Sequence, residues 1–272
     1  MEIFKLLEEP LRYNFFIYAN LAIIAISIIS SFIGFIVVNK GIMQLTSGIS
    51  NSMLLGYYFA SITGVFDVIG GIASSLFLLL AIFFTGKLQR NSQDQHIAII
   101  GSLLFSIAII FITRDKNSKI NINNLLFGNI LGISVSELIA IYIILLITLI
   151  LTFKYIKIIS YSSFAMSVAK FGGIDITKIN IIIYIFISIF IAFISSLVGI
   201  ILTLTLIITP IMTSKIFFRK LLTQYKFAIT IGIISGVSGI YLSYFFSIPS
   251  GPAITLTSFF IFILSLWVKN IK

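Results

Sequence analysis

Residues Leu45 to Gly56 read L-T-S-G-I-S-N-S-M-L-L-G, a short polar run inside a segment, 41–62, that otherwise looks membrane-embedded. Hydrocarbon offers no water to hydroxyls, amides or backbone groups. Such a run is tolerated only where it faces protein or a wet cavity. It marks a polar route or an internal contact, provided that the rest of the chain spans a membrane.

Composition supplies that condition. Of 272 residues, 59% are hydrophobic and only 10% charged, against about 25% charged in an ordinary soluble domain. So few charges cannot cover a water-facing surface, and lipid must cover much of it. The net charge of +10 does not come from bases interleaved with aromatics on a polar background, so nucleic-acid binding is the weaker account of it. Basic loops on one side of a membrane explain it better. The absence of cysteine excludes disulfides and thiolate metal ligands. The first apolar stretch, 14–38, is too long for a signal-peptide core and is expected to be a retained span.

Windows of about 20 apolar residues predict nine spans, near 14–38, 41–62, 66–86, 96–113, 134–153, 179–196, 198–214, 226–246 and 251–268. The sixth and seventh share one apolar run that divides only at Ser195-Ser196. With the N-terminus outside, 13 of the 18 bases fall in inner segments, from Lys40 to Lys272, and five fall outside (Lys5, Arg12, Arg114, Lys116 and Lys119). The bias predicts an extracytoplasmic N-terminus and a cytoplasmic C-terminus. The expectation is an all-α polytopic protein, 1–272 forming a single transmembrane domain of eight or nine helices.

One inner segment, about 160–178, is longer and less apolar than a simple turn. Phe164, Ala165, Val168 and Ala169 make one apolar stripe at helical spacing, and Gly172-Gly173 ends it as a C-cap would. Either a helix lying on the inner leaflet or a docking helix for a soluble partner fits that pattern.

Catalytic patterns are missing. The single histidine, His96, has only Asp94 nearby, two residues away and off its helix face. Asp67 and Glu137 fall at outer ends of spans, where helix N-terminal carboxylates belong. Gly86-Lys87 lacks the upstream glycine and following hydroxyl of a phosphate-binding loop. What remains suits helix packing and a pathway. Ser30/Gly34, Gly232/Gly236 and Ser235/Gly239 let helices approach closely. Pro210 should kink its span, with Thr209, Thr213 and Ser214 available to freed carbonyls.

Four stretches in register resemble the membrane subunit of the ABC-type zinc/manganese/iron importers, the ABC-3 family, and most of all its high-affinity zinc uptake branch. Leu126-Phe127-Gly128-Asn129-Ile130-Leu131-Gly132-Ile133-Ser134 is similar to that family's L-F-G-x-[IL]-L-x-[VI]. Val198-Gly199-Ile200-Ile201 through Ile208-Thr209-Pro210 resembles V-G-x-L-L…L-[IL]-x-P, and Ile248-Pro249-Ser250-Gly251-Pro252-Ala253-Ile254 resembles P-[SA]-G-P-x-I-[VL]. The opening polar run is similar to M-S-x-x-G-D-x-L-[SA]-H-[AS]-x-L-[PL]-G. It departs at the family's Asp and His, which are Ser47 and Asn51 here.

The resemblance implies a type II ABC importer permease that binds no cofactor. It would work as a homodimer in the bacterial inner membrane, with a separate ATPase pair and an extracytoplasmic metal-binding protein. Zn2+ would be the first expected cargo, with manganese or iron as alternatives. It places a metal pathway at Ser47, Asn51 and Ser52, and assigns the ATPase-coupling contact to Phe164, Ala165, Val168 and Gly172. Neutral oxygens at Ser47 and Asn51 hold a divalent ion far more weakly than carboxylate and imidazole. Either metal passes with looser ligation, or the substrate has changed, or transport is lost. Against this stand a secondary transporter, which would want mid-span carboxylates, and a membrane-embedded enzyme, which would want a catalytic cluster.

Overall fold

The structure, a computed structural model, describes residues 9–86, 93–115, 122–164 and 176–271. Ten α-helices dominate these residues, and no strand occurs among them. They are α1 (Asn14–Lys40), α2 (Met43–Thr63), α3 (Asp67–Gly86), α4 (Gln93–Arg114), the short α5 (Ile122–Phe127), α6 (Val135–Phe164), α7 (Ile176–Val198), α8 (Ile200–Phe217), α9 (Leu221–Phe246) and α10 (Ser250–Ile271). Eight of the nine long helices are apolar enough to cross a membrane by composition alone. The ninth is α2. Its 21 residues reach about 31 Å at about 1.5 Å per residue, enough for a hydrocarbon core of about 30 Å; its polar run is what lowers its apolarity.

Two expected boundaries move. The run predicted to divide at Ser195-Ser196 stays helical there and breaks at Gly199, whose φ of 86° suits glycine and few other residues. Serine does not stop a helix in this setting, because its hydroxyl can bond back to its own backbone. Ser196 Oγ does so, donating to the Phe193 carbonyl at 2.8 Å. The span predicted over 134–153 continues to Phe164, giving α6 30 residues, about 45 Å and well beyond the hydrocarbon core.

The chain forms two compact units from interleaved segments. The first holds α1, most of α6, and α8, α9 and α10. At its centre lies α1, whose C-terminal half is buried around its whole circumference, every residue from Ile29 to Val38 included, as expected of a helix apolar on every side. Lipid is as apolar as leucine, so close packing is what holds such helices together. Glycines make it possible: a methyl group at Gly34 would strike the Ile207 carbonyl of α8, and one at Gly239 would lie 2.5 Å from Ile254 Cα of α10. The Gly232 position packs 3.2 Å from Ser27 Cβ of α1. The small-residue pairs thus serve packing inside one protomer.

At one end of this unit three sequence stretches meet. Gly128, at φ 66°, lies against the Val198-Gly199 backbone, and Gly251 lies against the Phe127 carbonyl. Both approaches are too close for any Cβ. Ser134 then opens α6 with a capping box: its backbone N–H and hydroxyl both donate to Glu137 Oε2, at 2.8 and 2.7 Å. Glu137 is therefore a helix N-terminal carboxylate, as its position in the sequence suggests.

The second unit holds α2, α3, α4, α5 and α7 as far as Ser196. Here α2 is the hub, in contact with α3, α4 and α7.

Candidate functional site

Three neighbours grip α2, each through a feature of its own sequence. Gly56 and Gly70 bring α2 and α3 into backbone contact, and a methyl at Gly70 would lie 2.7 Å from Ala60 Cβ. Gly48 and Gly101 do the same for α4, where a methyl at Gly101 would be 2.9 Å from Gly48 Cα. Tyr57 reaches α7 by donating its hydroxyl to the Ala192 carbonyl at 3.2 Å. The tyrosine ring also fills the space over Gly71. Farther along, Tyr58 stacks on Phe111 of α4 at 5.6 Å and 7°.

One side is left open. Between Leu45 and Ala60 every residue is buried except Ser47, Asn51 and Leu55, which are half-buried, and Phe59, which is exposed. Their strict spacing of four places them on a single helix face. Exposed Gln44 and Ile62 extend that stripe in either direction. The open face is thus polar at Gln44, Ser47 and Asn51, then apolar from Leu55 to Ile62. The Ser47 hydroxyl and the Asn51 amide make no hydrogen bond to any described residue. An amide carries an acceptor and two donors, so the stripe presents unfilled capacity of both kinds.

The expected site residues separate accordingly. Ser47 and Asn51 share the open face. Ser52 is fully buried, and its hydroxyl donates to the Ile49 carbonyl of its own helix at 2.8 Å. Leu55 and Phe59, not singled out from the sequence, belong to the stripe; the four-residue spacing from Ser47 and Asn51 was the signal for them. Among the described residues no three His, Cys, Asp or Glu side chains cluster as a metal centre would require. His96 lies in the first turn of α4, partly buried, with a buried Nδ1 that meets no hydrogen-bond partner among the described residues.

The other expected positions lie apart from this face. Phe164 is the last residue of α6, and Ala165, Val168 and Gly172 fall outside the described residues. Pro210 sits inside a helix that continues through it. Thr213 and Ser214 bond the carbonyls of Thr209 and Ile211, at 2.8 and 2.7 Å. The acceptor that Pro210 leaves without its usual partner is the Leu206 carbonyl, and neither hydroxyl bonds it.

Long apolar helices around a helix with a polar face define a polytopic membrane protein of the permease class. The match to the ABC 3 transport family model runs over residues 12–269, and the chain belongs to that family. It is 28% identical over 259 residues to the manganese transport system membrane protein MntC of Listeria monocytogenes, covering 95% of this chain and 92% of the relative. It is 27% identical to the high-affinity zinc uptake system membrane protein ZnuB of Haemophilus influenzae, covering 91% and 95%. In fold it matches PsaBC from Streptococcus pneumoniae, solved in complex with Fab, at a TM-score of 0.86 and 24% identity, covering 97% of this chain and 95% of that one.

Proposed function

We propose that this chain is the membrane-spanning subunit of an ATP-driven importer of divalent transition metal, working as a homodimer in the bacterial inner membrane. The open stripe of α2 carries the reading. A polar face with unfilled hydrogen-bonding groups has no place against lipid, and a second copy meeting it would enclose a polar route between two such faces. Ser47 and Asn51 line that route. Ser52, buried against its own backbone, sets helix packing beside it. Zinc is the cargo suggested by the sequence motifs, while relatives named for manganese and for zinc stand at nearly the same identity. ATP is hydrolysed by a separate subunit pair, on which the end of α6 and the following segment, Phe164, Ala165, Val168 and Gly172, dock. An extracytoplasmic metal-binding protein delivers the cargo. An outside N-terminus and an inside C-terminus complete this reading; the 13-to-5 distribution of bases and the odd number of long helices among the described residues favour it.

The test is ATP turnover by the permease reconstituted with its ATPase and binding protein. Zinc, manganese and iron are each supplied as the free ion and as a soluble complex. Stimulation by at least one of them is expected. No stimulation by any metal in either form would refute the assignment.

A further inference from the structure

The charge pattern of the whole chain bears on the form in which metal crosses. The full sequence holds eight acidic side chains and one histidine. Three of the acids precede α1. Asp67 opens α3, Asp94 and His96 lie in the first turn of α4, and Asp115 follows the end of that helix. Glu137 is held in the capping box of α6, and Asp175 directly precedes α7. No anionic or imidazole group occupies the middle of any helix. A divalent ion stripped of its water would meet no compensating charge midway, and a charge taken out of water without a partner is heavily penalised.

The open face of α2 offers something else. Ser47 and Asn51 present donors as well as acceptors, and neither side chain bonds any described residue. A bare cation can use only the acceptors. A metal that keeps its ligands presents the acceptor atoms of those ligands, and hydroxyl and amide hydrogens can bond them. Leu55 and Phe59 then provide apolar contact for the carbon skeleton of an organic ligand.

Resting on the transport reading above, we infer that the cargo is a metal held in a charge-neutralising organic ligand shell, recognised on the α2 stripe through its ligand atoms. The metal is not coordinated by the protein at mid-membrane. Any small chelate of near-zero net charge with outward carboxylate or amine edges fits.

The experiment uses proteoliposomes holding the complete importer, with ATP inside. Radiolabelled zinc is offered either as the hydrated ion or as the neutral bis-histidinate complex, made with carbon-labelled histidine. The expected result is about tenfold greater uptake from the complex, a preference that corresponds to about 1.4 kcal/mol, with both labels accumulating in the ratio of the complex. Asn51→Asp, nearly isosteric and on an open face, should shift the preference toward the hydrated ion. Ser47→Asp should do the same, independently of whether the first variant assembles. Zinc that enters while histidine stays outside overturns the inference and leaves the permease assignment standing. So does an uptake ratio unchanged in both variants. Failure of both zinc forms to accumulate above an ATP-free control overturns the inference, and the permease assignment is then decided by the metal panel of the ATP-turnover test.

Discussion

The position of the open stripe depends on the contact between α2 and α3, and Gly56→Ala tests that contact directly. A methyl at Gly56 would lie 2.5 Å from both the Gly70 carbonyl carbon and Ser74 Oγ, and nearer still to the Gly70 carbonyl oxygen. Comfortable non-bonded separation is about 3.5–4.0 Å, so the two helices must part by about 1 Å. The obstacle is backbone and cannot rotate away. Overpacking of this kind costs about 1–3 kcal/mol, and the rigid obstacle puts this site at the upper end. Alanine in place of glycine returns up to about 1 kcal/mol of helix propensity, leaving a net loss of about 2 kcal/mol. At roughly 2–4 °C per kcal/mol for chains of 150–250 residues, the apparent Tm of the purified permease should fall by about 4–8 °C. The measurement is thermal unfolding in detergent at one scan rate, with Ala73→Leu as control, since Ala73 is exposed on the same α3. Gly70→Ala should cost a similar amount. The double variant should cost less than the two combined, because one displacement relieves both clashes. A Gly56→Ala protein that melts within about 1 °C of the parent would refute backbone contact between α2 and α3, and with it the orientation of Ser47 and Asn51.

Three further outcomes are expected. Replacing Ser47→Asp together with Asn51→His should strengthen zinc binding by the purified permease, since charge and imidazole then share one helix face; unchanged affinity would mean that this face does not meet the ion. Phe164→Asp should abolish metal-stimulated ATP turnover while the permease still elutes as a folded species, because an apolar contact of about 1.5–3 kcal/mol is replaced by a buried charge; retained stimulation would remove Phe164 from the ATPase contact. Reporter fusions at Lys272 and within 114–125 should read opposite sides of the membrane, and the same side for both would contradict the assigned topology.

Much of the architecture was legible because it follows from sums over many residues. A span needs about 20 apolar positions, so single substitutions hardly blur it, and all nine expected segments are helical in the structure. Features resting on one residue were less legible. Ser195-Ser196 looked like a break because polar residues interrupt an apolar run, yet a serine hydroxyl can satisfy itself on its own helix. The turn fell instead at Gly199, where a positive φ was needed. The end of α6 at Phe164 was hidden for a related reason: helix can continue past the bilayer once hydropathy has stopped marking it.

For α2, helical spacing alone put Ser47 and Asn51 on one face, and their chemistry made them weak ligands for a bare ion. Residue types and their order also sufficed for the membrane class, the family likeness and the lack of mid-span charge. Packing decided the rest. Ser47, Ser50, Asn51 and Ser52 are all small and polar, and nothing in their order says which of them is covered. Gly48, Gly56 and Tyr57 turn their sides of the helix toward α4, α3 and α7, burying Ser50 and Ser52 and leaving Ser47, Asn51, Leu55 and Phe59 open. Periodicity specifies which residues lie together on a helix, but exposure depends on neighbours contributed by distant parts of the chain.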